Sequence, residues 1–261
     1  EVLKRINVDG GKGKILEYFG DGVKTLTVSE RSTIANMGAE TGATTTVFPS
    51  DEQTKKFFTG QQREKDFAPL SADTGAQYAD TIEINLSEVE PLIAAPFSPG
   101  NVKHVREIAG MEIMQAMIGS STNSSYEQFM NCAGMLKTNG TILPASYHVI
   151  PGSRQVLATV ERDGGLKTFI EFGARIAEPS CNACIGIGNA PATEIISVRS
   201  FPRNWEGRSG TQQDQVYLAS PETATACAIK GEIIDPRDAG IKFPNTFEPK
   251  PFVINDRMII A

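Results

Sequence analysis

Met111-Glu112-Ile113-Met114-Gln115-Ala116-Met117-Ile118 is apolar enough for a mostly buried strand, and Gly119-Ser120-Ser121-Thr122-Asn123-Ser124-Ser125 behind it is a small polar turn. After the turn, Tyr126, Phe129, Met130, Ala133 and Leu136 recur at helical spacing. Strand, polar turn and helix form the unit of an open α/β sheet, in which ligands bind beyond the carboxyl ends of the strands. The unit recurs downstream. Tyr147-His148-Val149-Ile150 ends at Pro151-Gly152, and a helix through Val156, Leu157 and Val160 is expected to stop near Gly164-Gly165. Ile195-Ile196-Ser197-Val198 leads into the Arg-, Gly- and Asn-rich stretch 199–210. Ser220-Pro221 opens a last helix as N-cap and first residue, and Gly231 closes it.

Upstream, the same logic predicts mixed α/β structure. Thr44-Thr45-Thr46-Val47-Phe48 reads as a short strand stopped by Pro49. Ser50 is expected to cap a helix with Gln53 as its capping-box partner, and that helix ends near Gly60. Residues 61–66 are a polar surface stretch, and Thr81-Ile82-Glu83-Ile84-Asn85-Leu86 alternates as a half-buried strand would. Pro91, Pro96 and Pro99-Gly100 then break the pattern. The expected architecture is α/β with three-layer α/β/α packing and mixed or parallel sheets, in two subdomains, 1–93 and 94–261.

The 261 residues are 40% hydrophobic and 21% charged, which excludes a disordered or low-complexity chain. No stretch approaches the roughly 18 apolar residues of a membrane helix. With 25 basic against 31 acidic residues, the net charge is −6, and no basic run offers a surface for nucleic acid or an anionic membrane. Four cysteines and an N-terminus without a signal-peptide pattern point to reduced thiols in a cytoplasmic compartment. The chain opens on Glu1 and closes on the apolar Met258-Ile259-Ile260-Ala261, so a fragment of a longer protein is expected.

Cys181-Asn182-Ala183-Cys184 is the most chemically suggestive motif, because a tight turn brings both sulfurs to one side, where they can share a metal or cluster. Small buried residues in a turn are the competing reading. A redox pair would normally open a helix soon after a strand, and Ala177-Glu178-Pro179-Ser180 is a poor match for that. Cys132 and Cys227 sit inside expected helices and read as small core residues. Arg203 and Arg208 share one loop, and two guanidinium forks there can clamp carboxylates; solvated surface arginines are the alternative. Asn36 and Glu40, four apart, would share one helix face, either for one ligand or simply as a polar surface. Gly10-Gly11-Lys12-Gly13-Lys14 lacks the spacing and hydroxyl of a phosphate loop, and Gly186-Ile187-Gly188 lacks the rest of a dinucleotide fingerprint. His104 and His148 read as structural.

Together these segments resemble the aconitase family of iron–sulfur hydro-lyases. The matching stretches, in the family's order, are Glu17 to Gly20, Asn36 to Glu40 running through Gly42-Ala43-Thr44-Thr45 to Phe48-Pro49, Gly119 to Tyr126, Pro151-Gly152-Ser153, Glu161 to Gly164, Cys181 to Gly186, and Arg203 to Gly210. The run from Gly207 through Thr223 is most similar to the bacterial aconitate hydratase branch, with isopropylmalate and homoaconitate dehydratases as close relatives. The resemblance implies a 4Fe–4S cluster bound through three cysteines, with one open iron acting as Lewis acid on the substrate hydroxyl. It matches Cys181 and Cys184 to two ligands and places Ser121 where the family has the third, a far poorer iron ligand than a thiolate. It matches Asn36 and Glu40 to active-site positions, and Arg203 and Arg208 to arginines that bind carboxylates of a small tricarboxylate substrate. Pro202 stands where the family has an active-site Asn.

The resemblance also places the family's Asp/His proton-transfer set before Glu1 and its Ser-Arg segment with the catalytic base after Ala261. The chain then corresponds to the second and third of four domains, requires the flanking N- and C-terminal domains as partners, and is expected to be inactive alone. Aconitate hydratase activity is the leading expectation. An isopropylmalate or homoaconitate dehydratase is the enzymatic alternative. A non-catalytic aconitase-like binding protein, motivated by Ser121 and Pro202, is the other.

Overall fold

Short strands here find their partners through parallel pairing across helical crossovers. The computed structural model describes residues 1–139, 143–244 and 251–258; Ile259-Ile260-Ala261 of the apolar C-terminal run lie outside them. By contact density the chain divides into two units, Glu1–Glu90 and Pro91–Ala261.

In the first unit, α1 (Val2–Ile6) precedes β1 (Ile15–Glu17), α2 (Val28–Gly38), β2 (Thr45–Val47) and α3 (Glu52–Gly60). The strands pair in parallel, Ile15 opposite Thr45. Thr27 and Glu30 close a capping box on α2. Arg31, buried, grips Asp51 with both terminal nitrogens at 2.9 and 2.7 Å and also donates to the carbonyls of Val23, Leu26 and Pro49. That grip explains one departure from expectation. Asp51, not Ser50, caps α3, accepting from Gln53 N and Thr54 N, while Ser50 pairs with Leu70 and donates to Ala68 O. The expected strand at 81–86 is also absent. Residues 81–85 are irregular, and a 3-10 turn covers Leu86–Glu88. Alternation alone makes no strand without a neighbouring edge, and the Glu83 carbonyl is taken by Arg5 instead.

The second unit is built on a seven-stranded sheet. Its elements are β3 (Leu92–Ala94), β4 (Val102–His104), β5 (Gln115–Gly119), α4 (Tyr126–Asn139), β6 (Ser146–Ile150), α5 (Arg154–Arg162), α6 (Gly165–Glu171), β7 (Arg175–Ile176), β8 (Ile196–Arg199), β9 (Gln215–Leu218) and α7 (Pro221–Lys230). The strand order is β4-β3-β9-β8-β5-β6-β7. From β9 to β7 all pairs are parallel, and β3 joins β9 and β4 antiparallel. The α/β expectation holds. Strand β5 is shorter than the apolar run suggested: 111–114 enters it through a bridge of Glu112 to Glu232, with the Met111 and Met114 side chains exposed. Gly164, at φ +83°, ends α5 and starts α6 rather than stopping the helical region. Among the described residues, no helix is long and apolar enough to cross a membrane.

The pleat divides the core. Ala116, Ile118, Tyr147, Val149, Val198 and Tyr217 face α4, α6 and α7 in the main cluster with Phe129, Leu136, Phe169, Ala224 and Ala228. Their neighbours Met117, Ile150, Val216 and Leu218 point to the other face, where Ala183, Cys184 and Phe201 cover them. Each fully buried large side chain contributes about 1.5–3 kcal/mol. Cys132 and Cys227 are buried in the helical layer, as small core residues.

Candidate active site at the sheet's carboxyl rim

The chain runs outward from β5 through β6 to β7, then returns to β8 on the other side of β5. In open α/β sheets ligands bind outside the carboxyl ends of the strands where the order reverses, which here is between β5 and β8. The loops leaving β5 and β8 flank that point; the first holds Ser120 and Ser121, the second Arg203 and Arg208.

The β5 loop turns sharply because Gly119 takes φ +114°, where a Cβ would overlap the Ile150 carbonyl. Ser120 follows in the left-handed region at φ +69°, buried, a conformation rare for a residue other than glycine. Its hydroxyl lies 2.9 Å from Cys184 Sγ and 3.7 Å from Cys181 Sγ. Ser121 Oγ lies 4.0 Å from Cys181 Sγ. Asn123 fastens the turn to the β8 loop by donating to Ser200 O, and Ser200 Oγ accepts from Gly119 N.

Cys181 caps a single 3-10 turn over Asn182–Ile185 and Cys184 lies within it, the first exposed and the second buried. The two sulfurs are 2.7 Å apart. Burial pushes the Cys181 thiol up, but hydrogen bonds from Cys184, Ser120 and Ser121 outweigh it and leave it below its ordinary value. Cys184 is raised, by burial first and by its bond to Cys181 second, while Ser120 and the Arg208 charge oppose the rise. Of the two, Cys181 is the thiol that gives up its proton more readily.

Arg208 reaches this pair because two backbones meet. Gly186, at φ +82°, closes the cysteine turn, and a Cβ there would sit 2.0 Å from Ser209 O. Gly210 lies against Ile185 O and Gly186 Cα from the other side. Arg203 and Arg208 place their guanidinium carbons 5.5 and 5.2 Å from the Trp205 ring centre. The Arg208 Nε is buried without a hydrogen-bond partner. Asp214 ties the loop through the Gly207 and Ser209 N–H groups, and the Asn204 amide nitrogen donates to the carbonyls of Ala94, Ala95 and Val216.

Beneath the turn lies Arg199, fully buried, donating to Ser197 Oγ, Gln115 Oε1, Ala183 O and Asn189 O. Burial pushes its pKa down to about 10, so it stays cationic at neutral pH. His148 is structural, as expected: its Nδ1 lies 2.7 Å from Asn189 Oδ1 and its Nε2 2.8 Å from Ser146 Oγ.

The thiols, the serine turn and the Arg208 loop, singled out from sequence, thus converge on one rim. Ser120, Arg199 and the Gly186–Ser209 contact were not anticipated; the only local signal was a polar residue at the buried end of a strand. Asn36 lies in the last turn of α2, and Glu40 in the 3-10 turn Ala39–Thr41 that continues it, both half-buried in the first unit.

Comparison with known proteins places the chain in a family. Residues 1–231 match the aconitase family (aconitate hydratase). The chain belongs to the aconitase family. It is 40% identical over 252 residues to the mitochondrial aconitate hydratase of Saccharomyces cerevisiae, covering 87% of this chain and 32% of that protein. It is 36% identical over 239 residues to large subunit 2 of the 3-isopropylmalate dehydratase of Archaeoglobus fulgidus, covering 91% and 58%. With large subunit 1 of that enzyme from Methanopyrus kandleri it shares 38% over 239 residues, covering 91% and 57%. The chain therefore spans about a third of the aconitate hydratase and rather more than half of the dehydratase subunits. These relatives carry two different hydro-lyase names, so the similarity reaches the family and not one reaction.

Proteins of the aconitase family normally bind a 4Fe–4S cluster. Among the described residues no three His, Cys, Asp or Glu side chains converge as a metal site. Cys181 and Cys184 supply two sulfurs to one point, and hydroxyls of Ser120 and Ser121 stand beside them. The unmet Arg208 N–H and the buried Arg199 make the surroundings positive. The two soft sulfurs and the positive surroundings fit an anionic iron–sulfur group in charge and ligand type.

Proposed function

We propose that the chain carries the cluster-binding and carboxylate-binding part of an aconitate hydratase, which interconverts citrate and isocitrate through cis-aconitate. The reading is carried by the packing of Gly186 on Ser209, which brings the cysteine sulfurs and the Arg208 charge to one rim. Cys181 and Cys184 would hold the cluster, with Ser121 in the third position. When bound, a cluster with an open iron polarises the departing hydroxyl as a Lewis acid.

The chain's own residues do the rest of what we assign. Arg203 and Arg208 present guanidinium forks to substrate carboxylates, and such charge-assisted pairs fix orientation as well as charge. Both guanidinium groups lie within cation–π reach of the Trp205 ring, which ties the two forks to one side chain. Asn36 and Glu40 take the polar active-site roles that the resemblance implies. Turnover is assigned to the longer enzyme, because this chain aligns with about a third of the aconitate hydratase relative. An iron–sulfur site of this kind belongs in a reducing compartment such as the cytoplasm.

One observation favours a second reading. Identity to 3-isopropylmalate dehydratase large subunits is nearly as high and covers more of their length. That reaction uses a dicarboxylate with an apolar branch in place of the third carboxylate.

Anaerobic reconstitution with ferrous iron and sulfide tests the proposal. The parent chain should turn brown with iron approaching about four per chain, and Ser121→Cys should slow loss of the visible absorbance to a chelator by about tenfold or more. A colourless protein in both forms would count against the cluster and favour a non-catalytic binding role. Titration with citrate and with 2-isopropylmalate then separates the two reactions.

A further inference from the structure

We propose that Arg199 is the positioning residue of the cysteine turn, bracing it from below and supplying the buried counter-charge for the anionic group its thiolates hold. The proposal rests on the cluster reading for the second of these roles only.

Arg199 is the last residue of β8 and fully buried. Val198 belongs to the helix-side core, so the pleat sends Arg199 and Ser197 to the opposite face, under the turn. Two of its bonds leave the sheet. Nη1 donates to Ala183 O, between the two cysteines, and Nη2 to Asn189 O, where the segment closes. The other two fasten the guanidinium to the sheet: Nε to Ser197 Oγ at 2.8 Å and Nη2 to Gln115 Oε1 at 2.9 Å. One planar fork thus joins β5 and β8 to both ends of the segment that carries Cys184.

The charge is harder to account for than the bonds. All four acceptors are neutral oxygens, the Phe201 ring centre lies 5.7 Å from the guanidinium carbon, and Asp214, the carboxylate whose charge favours the cation, is engaged by the Gly207 and Ser209 N–H groups. A buried cation without a contacting counter-ion is costly, and an apolar side chain of similar length would fill the same space. The place where a repaying charge could sit is the cysteine turn itself, since Nη1 already reaches Ala183 O between Cys181 and Cys184. An anion held by the thiolates completes the pairing.

Two variants separate brace from charge. Arg199→Lys keeps the charge and loses the fork; Arg199→Met loses both. In the metal-free chain, hydrogen exchange of the Cys184, Gly186 and Ile187 amides should accelerate about tenfold or more in both variants, with β5 and β8 amides unchanged. In reconstituted protein, the cluster's electron paramagnetic resonance signal and reduction potential should shift in Arg199→Met and hold in Arg199→Lys, since cluster potentials follow local charge. Unchanged exchange in both variants would overturn the brace, and an unshifted potential in the Met variant would overturn the counter-charge. Should Arg199→Met fail to fold, exchange in Arg199→Lys decides the brace, and a potential in the Lys variant equal to the parent's supports the charge role while a shifted one overturns it. If the parent takes up no iron, the cluster reading and with it the counter-charge fall, and the exchange result still decides the brace.

Discussion

The α-carbon of Gly186 packs against the carbonyl oxygen of Ser209 so closely that a Cβ would fall 2.0 Å from it, with φ at +82°. Gly186→Ala meets two penalties there, a left-handed backbone and an overlap with main chain that cannot rotate away. Together these cost ~2–5 kcal/mol. At roughly 2–4 °C per kcal/mol, the melting temperature should drop by ~4–20 °C. Gly188 offers the control: its φ is +69°, and the nearest atom a Cβ would meet is a side-chain nitrogen of Arg175 at 3.9 Å. Gly188→Ala carries the backbone penalty alone. Equal losses in differential scanning calorimetry would rule out the overlap as the reason the two loops stay joined.

Trp205 is the sole tryptophan and lies within cation–π reach of Arg203 and Arg208. Its fluorescence should respond when a tricarboxylate draws the guanidinium groups away. Arg208→Ala should weaken citrate binding by roughly 10- to 100-fold, the size of one charge-assisted hydrogen bond or slightly more. Arg208→Lys should recover part of the affinity, because an ammonium restores the charge without the fork. Unaltered citrate affinity in an Arg203→Ala, Arg208→Ala double variant would remove carboxylate binding from this loop.

Burial lowers the pKa of His148, and the Arg175 and Arg199 charges add to the effect against the opposing bond from Asn189. The folded protein therefore resists protonating an imidazole that the unfolded chain protonates near pH 6.5. Stability from this group is complete above pH 6.5 and is lost as pH falls through 6.5 and towards the lower folded value. Thermal melts from pH 7.5 to 5 should decline over that window, and His148→Gln should flatten this part of the profile. A decline of the same slope in the variant would assign it to carboxylates instead.

Local signals made much of this molecule legible. Ser220, Pro221 and Gly231 announced α7, and the apolar runs ending at Ile118, Ile150 and Val198 announced three parallel strands. What failed depended on partners far along the chain. The alternation at 81–86 has no strand to pair with, and Asp51 displaced Ser50 as a cap because Arg31 holds its carboxylate. The same division runs through the site. Cysteines and arginines declared themselves by their chemistry. The roles of Ser120 and Arg199 depend on which side of the sheet the pleat sends them, which only the register of β5 and β8 fixes.

Asn204 touches none of the chemistry, yet its amide nitrogen anchors the arginine loop to three main-chain oxygens, those of Ala94, Ala95 and Val216. Every amino acid at those three positions presents the same acceptor. Frame and recognition are therefore separable: side chains at 202, 203, 205, 206 and 208 can be exchanged without touching the anchorage, while Gly207 is held by its backbone at φ +72°. A lineage could retune what the proposed site accepts by drift in a few codons, keeping the scaffold it inherited.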